Sequence, residues 1–172
     1  MKRTWMAVAL VFWGVGLASA EDPAPANEIL GQWYTQDNES QVVVVEKDGK
    51  FFGTIIWLTE PLYPAEEPDG DAGKPKRDKN NSDAKAQKKP ILGLQVLKNF
   101  SYDAADKSWS GGTIYDPNNG RTYKCVIRMQ DDAKGIDGKS LHVRGYIGIP
   151  QLGRTTLWYR VPPDKMEKVE TQ

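Results

Sequence analysis

The sequence predicts an all-β domain of antiparallel strands, arranged as a barrel or as a sandwich. Seven or eight short runs of strand-forming residues follow one another, separated by turns rich in Gly, Asn, Asp and Pro. Several runs alternate apolar and polar residues, which is the pattern of a strand with one buried face. No stretch beyond residue 20 has a convincing helical period. Short strands joined by turns are typical of all-β barrels and sandwiches.

The first 20 residues have the features of a cleavable signal peptide. Lys2 and Arg3 form a positive segment, residues 5–17 are apolar and uncharged, and Ala18-Ser19-Ala20 fits the small-x-small cleavage pattern. The apolar run has about 13 residues, which is shorter than the roughly 20 needed to cross a bilayer. We therefore expect cleavage after Ala20, export, and no transmembrane span in the mature chain.

The remaining chain, Glu21–Gln172, has 152 residues, which is enough for one domain with a core. Without Lys2 and Arg3 it carries 21 basic and 23 acidic residues, a formal net charge of −2. Nucleic-acid binding is disfavoured, because it requires a basic surface. Cys125 is the only cysteine. No internal disulfide can form, so the core and the sheet hydrogen bonds must hold the fold.

The domain begins after a short leader. Residues 21–27 contain two prolines and are predicted to be flexible, so the domain is placed at residues 28–163. Its first hairpin joins Gln41–Glu46, with four consecutive valines, to Phe51–Leu58. Asp48-Gly49 lies between them, and Asp-Gly between two strand-forming runs is a strong hairpin signal.

Residues 60–90 form a long polar connection, rich in Pro, Gly, Lys and Asp. We expect one long mobile loop, because such segments are uncommon inside a compact domain. Asp78–Asp83 places oxygen-bearing side chains at alternate positions, but Asp83 and Lys89 replace the Gly and Glu of an EF-hand. A solvated loop without a metal is therefore favoured. Ile91–Leu97 then resumes the strand pattern.

The clearest hairpin lies within Trp109–Met129. Its strands are Gly112–Asp116 and Arg121–Met129, and Pro117–Gly120 supplies the turn, since Pro fixes φ while Asn and Gly accept positive φ. Two more strands, Ser140–Ile147 and Arg154–Val161, complete the domain. Pro162-Pro163 ends the last strand, and residues 164–172 form a charged tail that is expected to fray.

The predicted interior of a barrel is the candidate ligand site. At about eight strands, a barrel is just wide enough either to be filled by side chains or to hold one small ligand, and both outcomes stay open. The residues predicted to face this interior come from three strands: Tyr123, Cys125, Ile127, Met129, Leu141, Val143, Leu157 and Tyr159.

No catalytic or metal-binding pattern stands out. His142 is the only histidine, without a nucleophile at a recognisable spacing, and zinc sites use several His or Cys ligands. Cys125 lies on the apolar face of its strand, where a thiol behaves as a small hydrophobe. We therefore expect no enzyme activity, no cofactor and no metal. A site built from carboxylates and tyrosines is the third alternative for function.

Gly31-Gln32-Trp33 resembles the Gly-x-Trp opening of lipocalins, in which an arginine of the last strand stacks over the tryptophan and closes the barrel base. Arg160 has the matching place, so the resemblance implies a structural pair of Trp33 and Arg160. More specifically, the chain is similar to the bacterial family called domain of unknown function 2147. The similarity rests on segments that span nearly the whole mature chain: Gly31–Trp33, Asp78–Asn81, Pro90–Leu94, Trp109–Pro117, Gly120–Tyr123, Leu141–Gly148 and Leu152–Arg160.

This resemblance implies a periplasmic, lipocalin-like, up-and-down barrel of about eight strands, without an established activity. The leading hypothesis is a non-enzymatic protein that binds a small apolar or amphipathic ligand in the barrel. The alternative is an envelope interaction or structural module with a side-chain-filled barrel. Such a module would use residues 60–90 and the exposed face of Ser140–Ile147 to contact its partner.

Overall fold

A computed structural model describes residues 25–169, and within them eight antiparallel strands close into a single barrel. Each strand pairs with the next in sequence and the last pairs with the first, so the predicted all-β, up-and-down barrel is confirmed. The strands are β1 Gly31–Tyr34, β2 Ser40–Lys47, β3 Lys50–Leu58, β4 Gln95–Asp103, β5 Ser108–Asp116, β6 Arg121–Asp131, β7 Lys139–Tyr146 and β8 Arg154–Arg160. Short 3₁₀ segments occupy Pro25–Ile29, Gln36–Asn38, Ala86–Lys88, Pro150–Leu152 and Pro163–Lys165.

Closure of the barrel depends on a short seam between β1 and β8. Only two residue pairs form it, Trp33 with Arg160 and Tyr34 with Tyr159. The amide of Val161 extends the seam by donating to the carbonyl of Gln32 at 3.0 Å. Because a closed sheet has no free edge, this seam removes the unpaired strand edges that promote aggregation.

The predicted hairpin turns form where the sequence places them. Asp48 and Gly49 both have positive φ, 52° and 71°, as a two-residue hairpin turn requires. In β3, a side chain at Gly53 would lie 2.8 Å from Leu97 Cδ1, and the pairing register of β3 with β4 shifts at this residue. Gly53 therefore lets two neighbouring strands approach closely.

One end of the barrel, here called the base, is filled by side chains. Trp33, Trp109 and Phe100 are buried there with Ile127 and Leu141. The Pro25–Ile29 segment covers this end and accepts both indole hydrogens. Trp33 Nε1 donates to the Ile29 carbonyl at 2.8 Å, and Trp109 Nε1 donates to the Ala26 carbonyl at 3.0 Å. The described part of the predicted leader is therefore bound to the base.

Residues 60–90 fold back on themselves rather than extending into solvent. Two isolated bridges, Leu62 with Pro75 and Arg77 with Pro90, tie the segment together. Asp71 is 7% exposed and Asp78 is fully buried. The long connection predicted from the sequence is present, but contacts within it and with the barrel hold it in place.

The tail after β8 lies against the outer side of β1 and β2. The side chain of Gln32 bonds the backbone of Glu167 in both directions, donating at 2.6 Å and accepting at 2.9 Å. Gln41 Nε2 donates to the Lys165 carbonyl at 3.3 Å. The sequence predicted that residues 164–172 fray, but the tail contacts the barrel as far as Glu167.

Candidate functional site

A cavity of about 610 Å³ opens at the end of the barrel opposite the base. Its inner wall is mostly apolar, formed by Val42, Ile55, Val96, Val143 and Trp158. Its rim is mostly polar and aromatic, with two exposed apolar side chains, Ile147 and Leu152: the polar and aromatic members are Thr35, Gln36, Glu39, Tyr115, Asp116, Asn118, Asn119, Tyr123, Tyr146 and Arg154. Both outcomes that the sequence left open therefore occur, because side chains fill the base while the mouth is hollow.

The facing of β8 differs from the prediction. Trp158 pairs with Leu141 and Thr156 pairs with Val143, so Trp158 and Thr156 share the inner face with those buried residues. Leu157 lies opposite His142 on the outer face. The expected inward facing of Leu157 and Tyr159 is thus wrong.

The error has a physical reason. Both faces of β8 carry large apolar or aromatic side chains, so alternation along this strand does not identify the buried one. The register with β7 decides the facing. Tyr159 instead reaches the β6–β7 connection, where its hydroxyl donates to Asp132 Oδ2 at 2.9 Å.

The remaining predicted interior residues divide between the two ends. Tyr123 and Val143 line the cavity. Cys125, Ile127 and Leu141 are buried in the filled part, where 1% or less of each is exposed, and Met129 packs against the same core. Ligand contact therefore stays a prediction for Tyr123 and Val143, and the cavity adds Trp158 to them.

Arg160 stacks on Trp33 at the base. Its guanidinium carbon lies 4.2 Å from the centroid of the indole ring, the arrangement that the resemblance implies. Its nitrogens also donate to the carbonyls of Leu30 at 3.0 Å and Glu28 at 2.8 Å, and to Asp137 Oδ2 at 2.7 Å. A cation over an indole face contributes about 0.5–2 kcal/mol. Arg160 therefore connects β8 to the Pro25–Ile29 segment and the adjoining Leu30, and to the β6–β7 connection, which contains Asp137.

Gly31 makes room for this arginine. Its φ is +110°, and a Cβ atom at this position would lie 3.2 Å from Arg160 Nη1. Glycine is the residue that tolerates such a φ. The Gly-x-Trp opening thus contributes a glycine beside the guanidinium and a tryptophan beneath it.

A partly buried hydrogen bond connects the cavity rim to the long loop. The Tyr115 hydroxyl donates to Asp78 Oδ1 at 2.6 Å, and Asn81 Nδ2 donates to Asp78 Oδ2 at 2.7 Å. Burial, followed by the adjacent Asp78 carboxylate, raises the pKa of Tyr115 to about 12. Tyr115 therefore remains a protonated donor at neutral pH, and Asp78 has a partner for each oxygen.

The loop also contacts the tip of the β5–β6 hairpin. Asn80 Nδ2 donates to the carbonyls of Pro117 and Asn118, both at 3.1 Å. A Cβ atom at Gly120 would lie 1.8 Å from the Asn80 carbonyl oxygen, so only glycine fits there. The hairpin tip is thus both a turn and the place where the loop binds at the cavity rim. Sequence reasoning missed this contact, although both segments were among the motifs it identified.

The two residues considered for chemistry lie outside the cavity wall. His142 is on the outer face of β7, opposite Leu157. Burial raises the pKa of the Cys125 thiol to about 12. Among residues 25–169, no group of three or more His, Cys, Asp or Glu side chains is placed to hold a metal ion.

An eight-stranded antiparallel barrel with a cation–π pair at its base and a cavity at its mouth defines a lipocalin-like barrel. One similar solved structure is described as "Protein HP1028 from the human pathogen Helicobacter pylori belongs to the lipocalin family". The two share 23% sequence identity over 84% of this chain and 93% of that chain, with a TM-score of 0.63. At this identity the likeness shows the fold.

The family follows from the sequence itself. The family model described as "Uncharacterized protein conserved in bacteria (DUF2147)" matches residues 31–160, so the chain belongs to this family. A comparison with curated proteins finds no match. In the described part of the chain, no helix has the length and apolar character needed to span a membrane.

Proposed function

We propose that this protein binds a small apolar or amphipathic molecule in the cavity at the mouth of its barrel. The observation that carries the proposal is the cavity itself, about 610 Å³ with an apolar inner wall and a polar rim. Small-molecule sites usually have volumes of about 300–1,000 Å³, apolar walls and a few polar groups that fix orientation.

The distribution of polarity favours an elongated molecule with a polar end. An apolar tail gains free energy when the apolar inner end of the cavity removes it from water, at about 25 cal/mol per Å² of apolar surface. A polar end would remain near Tyr123 and Arg154 at the rim, where water is available. Burial of an unpartnered polar group costs free energy, so the polar end belongs at the mouth.

Two measurements test this proposal. Organic extraction and mass spectrometry of protein purified from its native host identify a co-purifying molecule. Titration with saturated fatty acids as probes should change the tryptophan fluorescence, because Trp158 lines the cavity. The proposal would be contradicted if no molecule co-purified with the protein and no probe changed its tryptophan fluorescence.

A matched pair of variants tests whether the molecule binds in the cavity. Val143→Phe projects a larger side chain from the inner face of β7, whereas His142→Phe places the same ring on the outer face. We expect Val143→Phe to lower probe affinity about tenfold or more by occupying cavity volume. His142→Phe should bind as the unaltered protein does. Equal affinities of both variants would exclude the cavity as the binding site.

The proposed role is binding without catalysis. In support, the only histidine lies on the outer face, and the only thiol is buried with its pKa raised to about 12. Neither is a base or nucleophile that a cavity-bound molecule contacts. Recovery of the fatty-acid probes unchanged after prolonged incubation, as judged by mass spectrometry, is the expected result. Any turnover of a bound probe would contradict this part of the proposal.

We further propose that the protein acts in the periplasm. The support is the N-terminal pattern, a positive segment followed by an apolar run and Ala18-Ser19-Ala20. N-terminal sequencing of protein from a periplasmic fraction should begin at Glu21. Recovery of uncleaved protein from the cytoplasm alone would contradict this location.

A further inference from the structure

Three large apolar side chains are exposed on the connection between β7 and β8. Ile147, Ile149 and Leu152 are 67%, 55% and 80% exposed. Single exposed apolar residues are ordinary on a protein surface, but a cluster of them indicates a contact site. The connection, residues 147–153, is called the apolar loop below.

Arg144 hydrogen-bonds the backbone of the apolar loop. Its Nε donates to the Pro150 carbonyl at 2.7 Å and its Nη2 to the Gln151 carbonyl at 3.0 Å. Its Nη1 donates to Thr155 Oγ1 at 2.8 Å, just beyond the loop. These hydrogen bonds restrain the loop, which reduces the conformational entropy that it loses when it binds another surface.

Basic residues surround the apolar loop. Lys124 is exposed and pairs with the last residue of β7, and the exposed Arg154 directly follows the loop. Arg144 contributes a third cation. No acidic residue occurs in the sequence between Lys139 and Val161. An apolar tip framed by cations has the charge complementary to an anionic surface.

We propose that the apolar loop docks the protein on the surface of a lipid bilayer that carries anionic headgroups. The three apolar side chains enter the boundary between headgroups and acyl chains, while the exposed Lys124 and Arg154 face the lipid phosphates and Arg144 adds positive charge behind the loop. A stable protein–protein interface buries roughly 800 Å² on each partner, over a broad complementary surface. Three projecting side chains on one loop match a fluid lipid surface better than such an interface.

Docking in this way turns the cavity toward the bilayer. Ile147 and Leu152 line the cavity as well as projecting from it, so the apolar wall continues from the inner chamber to the lipid. The carboxylates at the rim lie on other elements, Glu39 in the β1–β2 connection and Asp116 at the end of β5. The docking does not depend on a ligand in the cavity, so it can be tested independently of the proposed ligand binding.

The test measures flotation of the protein with lipid vesicles. All described elements lie within residues 25–169, so a chain that starts at Glu21 contains the complete barrel without the apolar segment at residues 5–17. One set of vesicles contains one part phosphatidylglycerol to three parts phosphatidylethanolamine, and the other contains phosphatidylcholine alone. We expect binding to the anionic vesicles, weakened at ionic strengths near 1 M, where charges are screened beyond about 3 Å.

Two variants test whether the apolar loop is responsible for vesicle binding. Ile149→Ser with Leu152→Ser should lower partitioning to anionic vesicles about tenfold or more, because two apolar side chains no longer enter the bilayer. Arg154→Gln should lower it about fivefold, since one cation near an anionic surface contributes about 1 kcal/mol. Thermal unfolding of each variant should match that of the unaltered chain, because the altered side chains are exposed.

The matched control carries Val45→Ser and Ile136→Ser. These residues are 46% and 57% exposed and lie toward the base of the barrel, away from the mouth. This control should float as the unaltered chain does. The proposal is overturned if the unaltered chain does not bind anionic vesicles, or if the control loses as much binding as the loop variant. It is also overturned if the loop variant still binds vesicles while sedimentation shows that the unaltered chain is a dimer and the variant a monomer, because the loop would then be a contact between two copies of the chain.

Discussion

Tyr115 on β5 and Asp78 in the long loop share a partly buried hydrogen bond of 2.6 Å. The two residues are 37 positions apart, and their contact brings the loop against the wall of the cavity. Asp78 is fully buried, so loss of the donor would leave a carboxylate oxygen without a partner away from water. The shape of the mouth therefore depends on this bond.

Tyr115→Phe should destabilise the protein by about 1–3 kcal/mol, the usual cost of leaving a buried polar atom unsatisfied. Chemical denaturation measures the free energy of unfolding. Hydrogen exchange should show faster opening of residues 76–90 than in the unaltered protein. Tyr102→Phe is the control, because the Tyr102 ring packs on Trp109 at 5.1 Å and phenylalanine preserves that contact. Equal stability of the Tyr115→Phe variant and the unaltered protein would show that the bond does not hold the loop.

Arg160→Lys should destabilise the base by about 2 kcal/mol or more. Lysine keeps the charge, but it cannot stack a planar cation on Trp33 while donating to the carbonyls of both Leu30 and Glu28. Urea denaturation followed by circular dichroism measures the change. Arg154→Lys, on the same strand but exposed at the mouth, should change stability by less than about 0.5 kcal/mol. A small effect at both positions would show that the guanidinium geometry does not stabilise the base.

The sequence predicted the local elements of the barrel well, because turn chemistry and alternation are encoded over a few residues. Asp48-Gly49 and Pro117–Gly120 form turns as expected. Local patterns did not predict which side chains of β8 point into the barrel. Trp158 and its neighbours Leu157 and Tyr159 are all compatible with burial, and only pairing with β7 selects Trp158.

The loop and the cavity rim depend on contacts between distant segments. Asn80 and Gly120 belong to separate sequence motifs. No local pattern predicts that the Asn80 carbonyl packs against Gly120, where a side chain would not fit. Likewise, the alternation of apolar and polar residues along β6 predicts which face points into the barrel. It does not predict that side chains fill only the base of the barrel. Tyr123 lines the cavity and Ile127 belongs to the core on the same face of the same strand.

Cys125 should resist thiol reagents in the folded protein. Burial raises the pKa of its thiol to about 12, so at pH 8 the thiol is both protonated and enclosed. Labelling with iodoacetamide should be slow in buffer and rapid in urea. The control is a double variant with Cys125→Ala and Thr122→Cys, which places the thiol at an exposed position of the same strand. Rapid labelling of native Cys125 would show that the barrel opens at this strand.

Stability of the long loop should depend on pH through Asp71. Lys74, Arg77 and Lys79 donate to or pair with this carboxylate, and hydrogen bonding from Lys74 contributes most to lowering its pKa from 3.8 to about 2. A pKa lower in the folded loop than in the unfolded chain means that the ionised form favours folding. This contribution is complete well above pH 3.8 and is lost as the pH falls toward about 2.

Hydrogen exchange of residues 62–77, referenced to the intrinsic rate at each pH, measures this dependence. Between about pH 4 and pH 2, protection should fall in the unaltered protein, because protonated Asp71 no longer attracts the three cations. Asp71→Asn lacks the titrating group, so its loop should be less protected at pH 6 and should lose less protection on acidification. Asp103→Asn, at the exposed end of β4 near the base, is the control and should behave as the unaltered protein does. If the Asp71→Asn loop loses as much protection between pH 4 and pH 2 as the unaltered loop, another carboxylate is responsible for the pH dependence.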